Sequence, residues 1–252
     1  MFRKHGLSGI ICVGGDGTLT VAHHLHCRGI PMIGVPKTID NDVPNTALTL
    51  GFNSGCTVAT DAVDRLHSTA ASHHRAMVLE VMGRRAGWIA LEAGLAGGGD
   101  VILIPEIPFT LEAVYEAIRQ RHQSGRRFSI VVVAEGARPR NEKEGWATAR
   151  GGVGIALSNE IERRTGMESR ATVLGHLQRG GAPTFFDRVL ATQFGHTAAL
   201  LASRNRYGKM VCLKKGALST VDLRLGSGRT RAVPPSSPLV AAARAVGTSF
   251  GA

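Results

Sequence analysis

The sequence predicts an α/β chain, with mostly parallel sheet flanked by helices. Three observations carry this. Short apolar runs such as "IICV" (10–13) and "SIVVVA" (129–134) read as strands buried on both faces. Segments with helical apolar spacing alternate with them. Turn residues such as Gly29, Pro36, Gly125 and the run Gly97-Gly98-Gly99 stand at the junctions. Strands alternating with helices imply crossover connections and hence a parallel sheet.

The elements follow in order. Ile10–Val13 is a strand, and Thr18–Arg28 a helix stopped by Gly29. Pro31–Val35 is a short strand, and Cys56–Leu66 has helical spacing. Ala76–Met82 and Val101–Ile104 are strands. Thr110 caps a helix whose Leu111, Val114, Tyr115 and Ile118 form one apolar stripe, ending at Gly125. After the strand Ser129–Ala134, the polar stretch Arg138–Gly152 reads as a loop. Then come a helix over Ile155–Arg164, a strand Ala171–Leu174, a helix Arg188–Ala202 and a strand Met210–Leu213. Residues 226–238 are turn-rich, and Leu239–Val246 forms a last short helix.

The 252 residues suffice for one large domain or two small lobes, and a 43% hydrophobic content suffices for a core. No apolar run approaches the roughly 20 residues of a membrane helix. Met1-Phe2-Arg3-Lys4 leads into a polar stretch, so no secretory leader is expected. The cysteines, Cys12, Cys27, Cys56 and Cys212, have no paired spacing and read as reduced core thiols of a cytoplasmic protein. A net charge of +11 invites an anionic partner. The basic residues are scattered, with short pairs at Arg84-Arg85 and Arg163-Arg164 and no aromatic interleaving. That pattern favours anionic small substrates over nucleic acid.

The chemistry begins at "VGGDGT" (13–18), where a strand runs into glycines at a helix start. Backbone N–H groups there can approach a phosphate, aided by the helix dipole. Asp16 would repel that phosphate unless Mg²⁺ lay between them. A tight turn capped by Asp16 or Thr18 is the plainer reading of the same residues. In "PKTIDNDV" (36–43), Asp40 and Asp42 flank Asn41 just after a strand. Asp40 is suited to take a proton from an attacking hydroxyl, Asp42 to help orient a metal, and Lys37 to contact phosphate. By itself this stretch is equally an Asx-rich turn. Further along, Arg75 in "SHHR", Arg84 in "MGRRAGW", and Arg170 and Arg179 in "SRATVLGHLQRGG" are able to clamp a phosphate ester. His176 adds a neutral donor, and Glu135 an acceptor for sugar hydroxyls. A metal site from His23, His24 and His26 lacks a spaced acidic or thiol partner and is rejected.

Five motifs in one order, GGDGT, PKTIDND, SHHR…VMGR, AEG and RATVLGHLQRGG, resemble the 6-phosphofructokinase family, and the resemblance runs from Ser8 to the C-terminus. It implies a two-lobed fold with a cleft between the lobes. Residues 1–51 and 178–252 would form the donor-binding lobe, and 52–177 the fructose 6-phosphate lobe. It implies transfer of a phosphoryl group from ATP to the 1-hydroxyl of fructose 6-phosphate, in glycolysis. Asp40 would be the base, assisted by Thr38 and Arg84. Gly15, Asp16, Gly17, Thr18 and Lys37 would hold the donor, and Asp16 and Asp42 the Mg²⁺. Thr38, Ile39, Asp40, Met82, Gly83, Arg84, Glu135, His176 and Arg179 would contact the sugar phosphate. Arg75 and Arg170 would reach it from a neighbouring subunit of a homodimer or homotetramer.

Family members carry a further strand, a GGDxPG-type loop and βα units upstream of GGDGT. The expectation is therefore a chain lacking the first strands of its N-terminal lobe, with an open apolar edge. A non-catalytic sugar-phosphate-binding remnant is the alternative on this account, and pyrophosphate is the alternative donor. Pyrophosphate users of the family carry Asp where this chain has Gly17 and Lys where it has Lys37. Gly17 leaves room for the α-phosphate of ATP and favours ATP.

Overall fold

A computed structural model describes residues 2–140, 146–147 and 151–252. The chain divides into two units, one of residues 1–54 with 182–231 and the other of 55–181 with 232–252. The expected boundaries gave residues 232–252 to the first unit. They belong to the second, because Ser249 bridges Val101 and accepts the N–H of Ile102 at 2.9 Å. Gly251 is packed so closely against Phe109 and Leu103 that a Cβ would lie 2.7 Å from the Phe109 side chain.

The first unit holds a sheet in the order β1 (Ile10–Gly14), β2 (Met32–Pro36), β7 (Lys209–Lys214), β8 (Ala217–Asp222). The first three are parallel and β8 is antiparallel to β7. β2 is buried along its whole length, and its side chains alternate between two cores. Ile33 and Val35 face α6 (Phe185–Ser203) through Leu190, Phe194 and Ala198. Met32 faces α1 (Asp16–Cys27) through Leu19 and Ala22. A Cβ at Gly34 would sit 2.8 Å from Leu19 and 2.6 Å from Leu223, so glycine is what lets α1 approach. β1 is an edge strand, and Ile11 and Val13 are exposed on it.

The second unit holds an all-parallel sheet in the order β4 (Val101–Leu103), β5 (Ser129–Ala134), β3 (Ala76–Val81), β6 (Ser169–Val173). α4 (Leu111–Gln123) and α5 (Val153–Thr165) cover one face through Val114, Ile118, Ala156 and Leu157. Thr110 caps α4 as expected, accepting the N–H of Ala113 at 3.2 Å.

Several expectations needed correction. The helix expected over residues 56–66 is longer: Ser72 and His73 of "SHHR" end α2 (Phe52–His73), and His74 turns the chain at φ 55° before β3. α3 (Trp88–Ala96) had no sequence forecast, since Ile89, Ala90, Leu91, Ala93 and Gly94 are all buried and leave no polar face to mark a period. The β7–β8 hairpin turns on Lys215 and Gly216, both at positive φ, without the Asn-Gly or Asp-Gly signature of such turns. α7 (Pro238–Ala245) is capped by Ser237. Residues 141–145 and 148–150 of the expected loop lie outside the described residues. The four cysteines are free, but only Cys56 and Cys212 are buried, while Cys27 is exposed. Among the described residues, no helix is long and apolar enough to cross a membrane.

Candidate active site

In the first unit, the pairing of β1 with β2 sets Gly14 opposite Pro36, which aligns the two motifs at the same end of the sheet. The N–H of Lys37 bonds to the carbonyl of Gly14 at 2.9 Å. Gly15, the N-cap of α1, would place a Cβ 3.4 Å from that of Thr38. Asp16 is the first helical residue, and its Oδ1 accepts the N–H of Gly228 at 3.0 Å. Gly17 and Thr18 are exposed, and a Cβ on Gly17 would meet nothing within 4 Å. Lys37 is exposed as well.

Within "PKTIDNDV", residues 39–43 are buried. Asp40, Asn41 and Asp42 are 4%, 1% and 7% exposed. Thr38 Oγ1 donates to Asp40 Oδ2 at 3.2 Å and accepts the Asp40 N–H at 3.1 Å. Ile39 is buried, so its side chain faces inward. Asn41 takes the left-handed conformation at φ 53°, and its side-chain oxygen accepts the N–H of Thr49 at 3.1 Å. Thr49 Oγ1 in turn donates to the Thr38 carbonyl at 2.7 Å. Arg231 holds the far side, donating to the carbonyls of Asn41 at 3.1 Å and Ala47 at 2.9 Å, while its N–H bonds to the Asp42 carbonyl at 2.7 Å. Neither Thr49 nor Arg231 was visible as a site residue in the sequence. Both act on backbone atoms 11 to 190 positions away, which no spacing rule reports.

The carboxylates of Asp16 and Asp42 are of the donor type that suits Mg²⁺. Asp16 and Asp42 offer hard carboxylate oxygens, and Mg²⁺ normally takes one or two carboxylates with substrate phosphates and water. Among the described residues there is no cluster of three or more His, Cys, Asp or Glu that could hold an ion alone.

In the second unit, one group gathers at the C-terminal ends of β3, β5 and β6. Glu135 Oε1 accepts the N–H of Gly83 at 3.2 Å and of Arg84 at 2.7 Å. Arg84 is at φ 54°, a sparsely populated conformation that persists only when its surroundings impose it. Gly136 makes room for it, since a Cβ there would lie 2.0 Å from the Arg84 carbonyl. Glu106 holds the end of the same loop, accepting the Gly87 N–H at 3.0 Å and the Val233 N–H at 2.7 Å. Gln178, 2% exposed, accepts the Met82 N–H at 2.9 Å and so ties the "HLQR" turn to "VMGR". His176 and Arg179 flank Gln178 on a 3-10 turn (Gly175–Arg179) and are exposed.

Arg75 and Arg170 belong to a second group. They sit at the N-terminal ends of β3 and β6, where Met77 is opposite Arg170. Arg75 pairs with Glu168 at 2.7 Å, and Arg170 pairs with Glu168 and with Glu162 at 3.3 Å. The hydrogen bond from Arg75 holds the exposed Glu168 carboxyl below its usual range. β3 separates the two groups by its six residues, about 20 Å of extended chain. Within one chain, therefore, Arg75 and Arg170 do not join Met82, Glu135, His176 and Arg179. Glu80, also on β3, accepts the Gly154 N–H at 2.7 Å at the start of α5. Burial pushes its carboxyl up, the Gly154 bond opposes this, and repulsion from Glu135 adds to it.

Known proteins share this sequence and this fold. The family model described as "Phosphofructokinase" matches residues 1–202. A protein of Chloroflexus aurantiacus named ATP-dependent 6-phosphofructokinase is 54% identical over 251 residues, 99% of this chain and 70% of that protein. One of the same name from Spirochaeta thermophila is 49% identical over 263 residues, 99% of this chain and 71% of that protein. Among solved structures, a pyrophosphate-dependent phosphofructokinase from Marinobacter aquaeolei is similar with a TM-score of 0.81 at 27% identity, covering 98% of this chain and 66% of that one. This chain thus spans about 70% of the length of the curated relatives it matches. With five motifs in order, a matching α/β architecture and relatives at these identities, the chain belongs to the phosphofructokinase family.

Proposed function

We propose that this protein transfers the γ-phosphoryl group of ATP to the 1-hydroxyl of fructose 6-phosphate, giving ADP and fructose 1,6-bisphosphate, as a cytoplasmic glycolytic kinase. The observation that carries this reading is the alignment of a phosphate-type loop and a buried carboxylate at one end of one sheet. Gly15 at the start of α1 neighbours Thr38, and Thr38 is hydrogen-bonded to Asp40. The curated relatives named ATP-dependent 6-phosphofructokinase support it.

In this reading the backbone N–H groups of Gly15 to Thr18 receive the donor phosphates, helped by the helix dipole and Lys37. Asp40 takes the proton of the 1-hydroxyl as it attacks, and Thr38 fixes the carboxylate's rotamer. Arg84 stabilises charge on the transferring group. Met82, Gly83, Glu135, His176 and Arg179 hold the sugar phosphate. Oε1 of Glu135 accepts the Gly83 and Arg84 N–H groups, and in this reading its other oxygen accepts from a sugar hydroxyl. Asp16 and Asp42 would hold Mg²⁺, which when bound neutralises phosphate charge. Arg75 and Arg170, at the opposite end of the sheet, serve the sugar phosphate of an adjacent protomer in a homodimer or homotetramer.

The test is a coupled assay of the intact chain with Mg-ATP and fructose 6-phosphate, in parallel with Asp40→Asn. The variant should lose roughly 10²–10⁴ in kcat with little change in KM. A large rise in KM with kcat intact would make Asp40 a binding residue instead. Pyrophosphate is the second reading, favoured by Lys37 and by the likeness to pyrophosphate-dependent structures.

A further inference from the structure

The last turn of α1 carries an imidazole and a thiol on one face. His23 and Cys27 stand four residues apart, which makes their side chains neighbours on a helix surface. The Cys27 Sγ lies 3.8 Å from His23 Nε2 and 3.9 Å from His23 Nδ1. Of the four cysteines, all free, Cys27 is the exposed one. The spacing of His23, His24 and His26 offers no partner for a metal, but the helix supplies one in this thiol. His26 is occupied elsewhere, packed so closely on the turn at Gly208 that a Cβ there would lie 2.4 Å from its Nε2.

A zinc-class ion bonds a thiolate sulfur at about 2.3 Å and an imidazole nitrogen at about 2.1 Å, so a tetrahedral shell sets the two ligand atoms about 3.6 Å apart. The pair stands close to that separation already. The χ2 torsion of histidine is soft, and turning the ring aims one nitrogen at the ion without moving the backbone. Cys27 is also the last residue of α1, at the helix end whose negative partial charge favours a cation. We propose that His23 and Cys27 are the two protein ligands of a surface site for one divalent transition-metal ion of the zinc class, with water completing its shell. On binding, the thiol gives its proton to the buffer, and the thiolate and a neutral imidazole nitrogen each donate an electron pair to the ion. Two protein ligands make an open site, in keeping with the absence, among the described residues, of a cluster of three or more. Thiolate and imidazole favour such an ion over Mg²⁺, which prefers oxygen. Asp16 lies at the other end of this 12-residue helix, about 16 Å along its axis, so the site is separate from the proposed donor loop. The proposal does not rest on the function proposed above.

The probe is Co²⁺, titrated into the freshly reduced intact chain in excess Mg²⁺, because a thiolate–Co²⁺ bond gives a near-ultraviolet charge-transfer band. The band should saturate at one ion per chain, and Zn²⁺, the better tetrahedral ion, should erase it. Cys27→Ser should remove the band. His23→Gln should weaken Co²⁺ binding roughly tenfold or more, because the second, chelating ligand is lost. His24→Gln, an exposed substitution beside the pair, should leave the affinity within about twofold of the parent. A second measurement needs no variant: Zn²⁺ should slow alkylation of Cys27 by iodoacetamide in the parent, read by peptide mass, and Mg²⁺ should not. Absence of a thiolate band, an unchanged affinity in His23→Gln, an equal loss in His24→Gln, or displacement of Co²⁺ by Mg²⁺ overturns the site. Alkylation of Cys27 at one rate with and without Zn²⁺ overturns it as well.

Discussion

Arg231 donates a hydrogen bond from Nε to the main-chain carbonyl of Asn41 at 3.1 Å, across 190 residues of sequence. It thereby clamps the turn that presents Asp40. Asn41 is in the left-handed region, and Arg231 bonds to three carbonyls of that turn and its return. Arg231→Ala removes the side-chain donors to the Asn41 and Ala47 carbonyls, keeps the main-chain bond to Asp42, and lets the turn relax. Because misplacement of about 1 Å can cost 10²-fold, kcat should fall roughly 10–100-fold. Arg231→Lys should not rescue it, since an ammonium cannot reproduce a planar fork. Steady-state kinetics with a melting curve on each variant checks this, and parent-like kcat in Arg231→Ala would refute it.

In the proposed reading, Gly17 is the lever on donor choice. A side chain there meets nothing within 4 Å, so Gly17→Asp should fold normally. Its carboxylate would face the α-phosphate of ATP as a like charge, a juxtaposition that costs several kcal/mol. The kcat/KM for ATP should fall by about tenfold or more, with pyrophosphate spared or improved. Comparing both donors in both proteins tests it, and pyrophosphate-only activity in the parent would reverse the donor assignment.

The opposite placement of Arg170 and Met82 along the sheet calls for a hybrid experiment. Asp40→Asn and Arg170→Ala are each made inactive, then co-expressed. In a mixed dimer one site pairs an intact Asp40 with an intact Arg170. Random assembly makes half the dimers mixed, with one good site of two, so about a quarter of parental activity should return. If hybrids form and activity does not rise, Arg170 serves its own chain.

Glu80 predicts a pH dependence of stability. Its folded-state pKa is raised, chiefly by burial. Its contribution is therefore fully present below the unfolded value of about 4.3 and is lost as pH rises through the folded value. Glu80→Gln keeps an oxygen for the Gly154 N–H and removes the buried charge. The variant should melt higher than the parent at pH 7, with the gap closing below about pH 4. A variant less stable at pH 7 and equal at pH 4 would show that the charge itself is stabilising.

Much of this protein was legible in the order of its residues. Ser129–Ala134 is a strand because six apolar or small residues in a row bury both faces. α4 was visible through Thr110 and its stripe. The motif residues announced a phosphate chemistry because glycines, carboxylates and arginines have few other reasons to recur in that order. Those are local signals, carried by periodicity, caps and composition. The rest is long-range. α3 is apolar nearly all round, so no period marks it. Residues 232–252 join the second unit because Ser249 and Gly251 find backbone and side-chain partners near residues 101–109. The grip of Arg231 on Asn41, of Gln178 on Met82 and of Glu135 on Arg84, and the separation of Arg170 from Met82 by the length of a strand, depend on which strands pair. Pairing is chosen by the packing of whole sheets against helices, an energy summed over residues far apart in sequence. Only the tertiary structure records it.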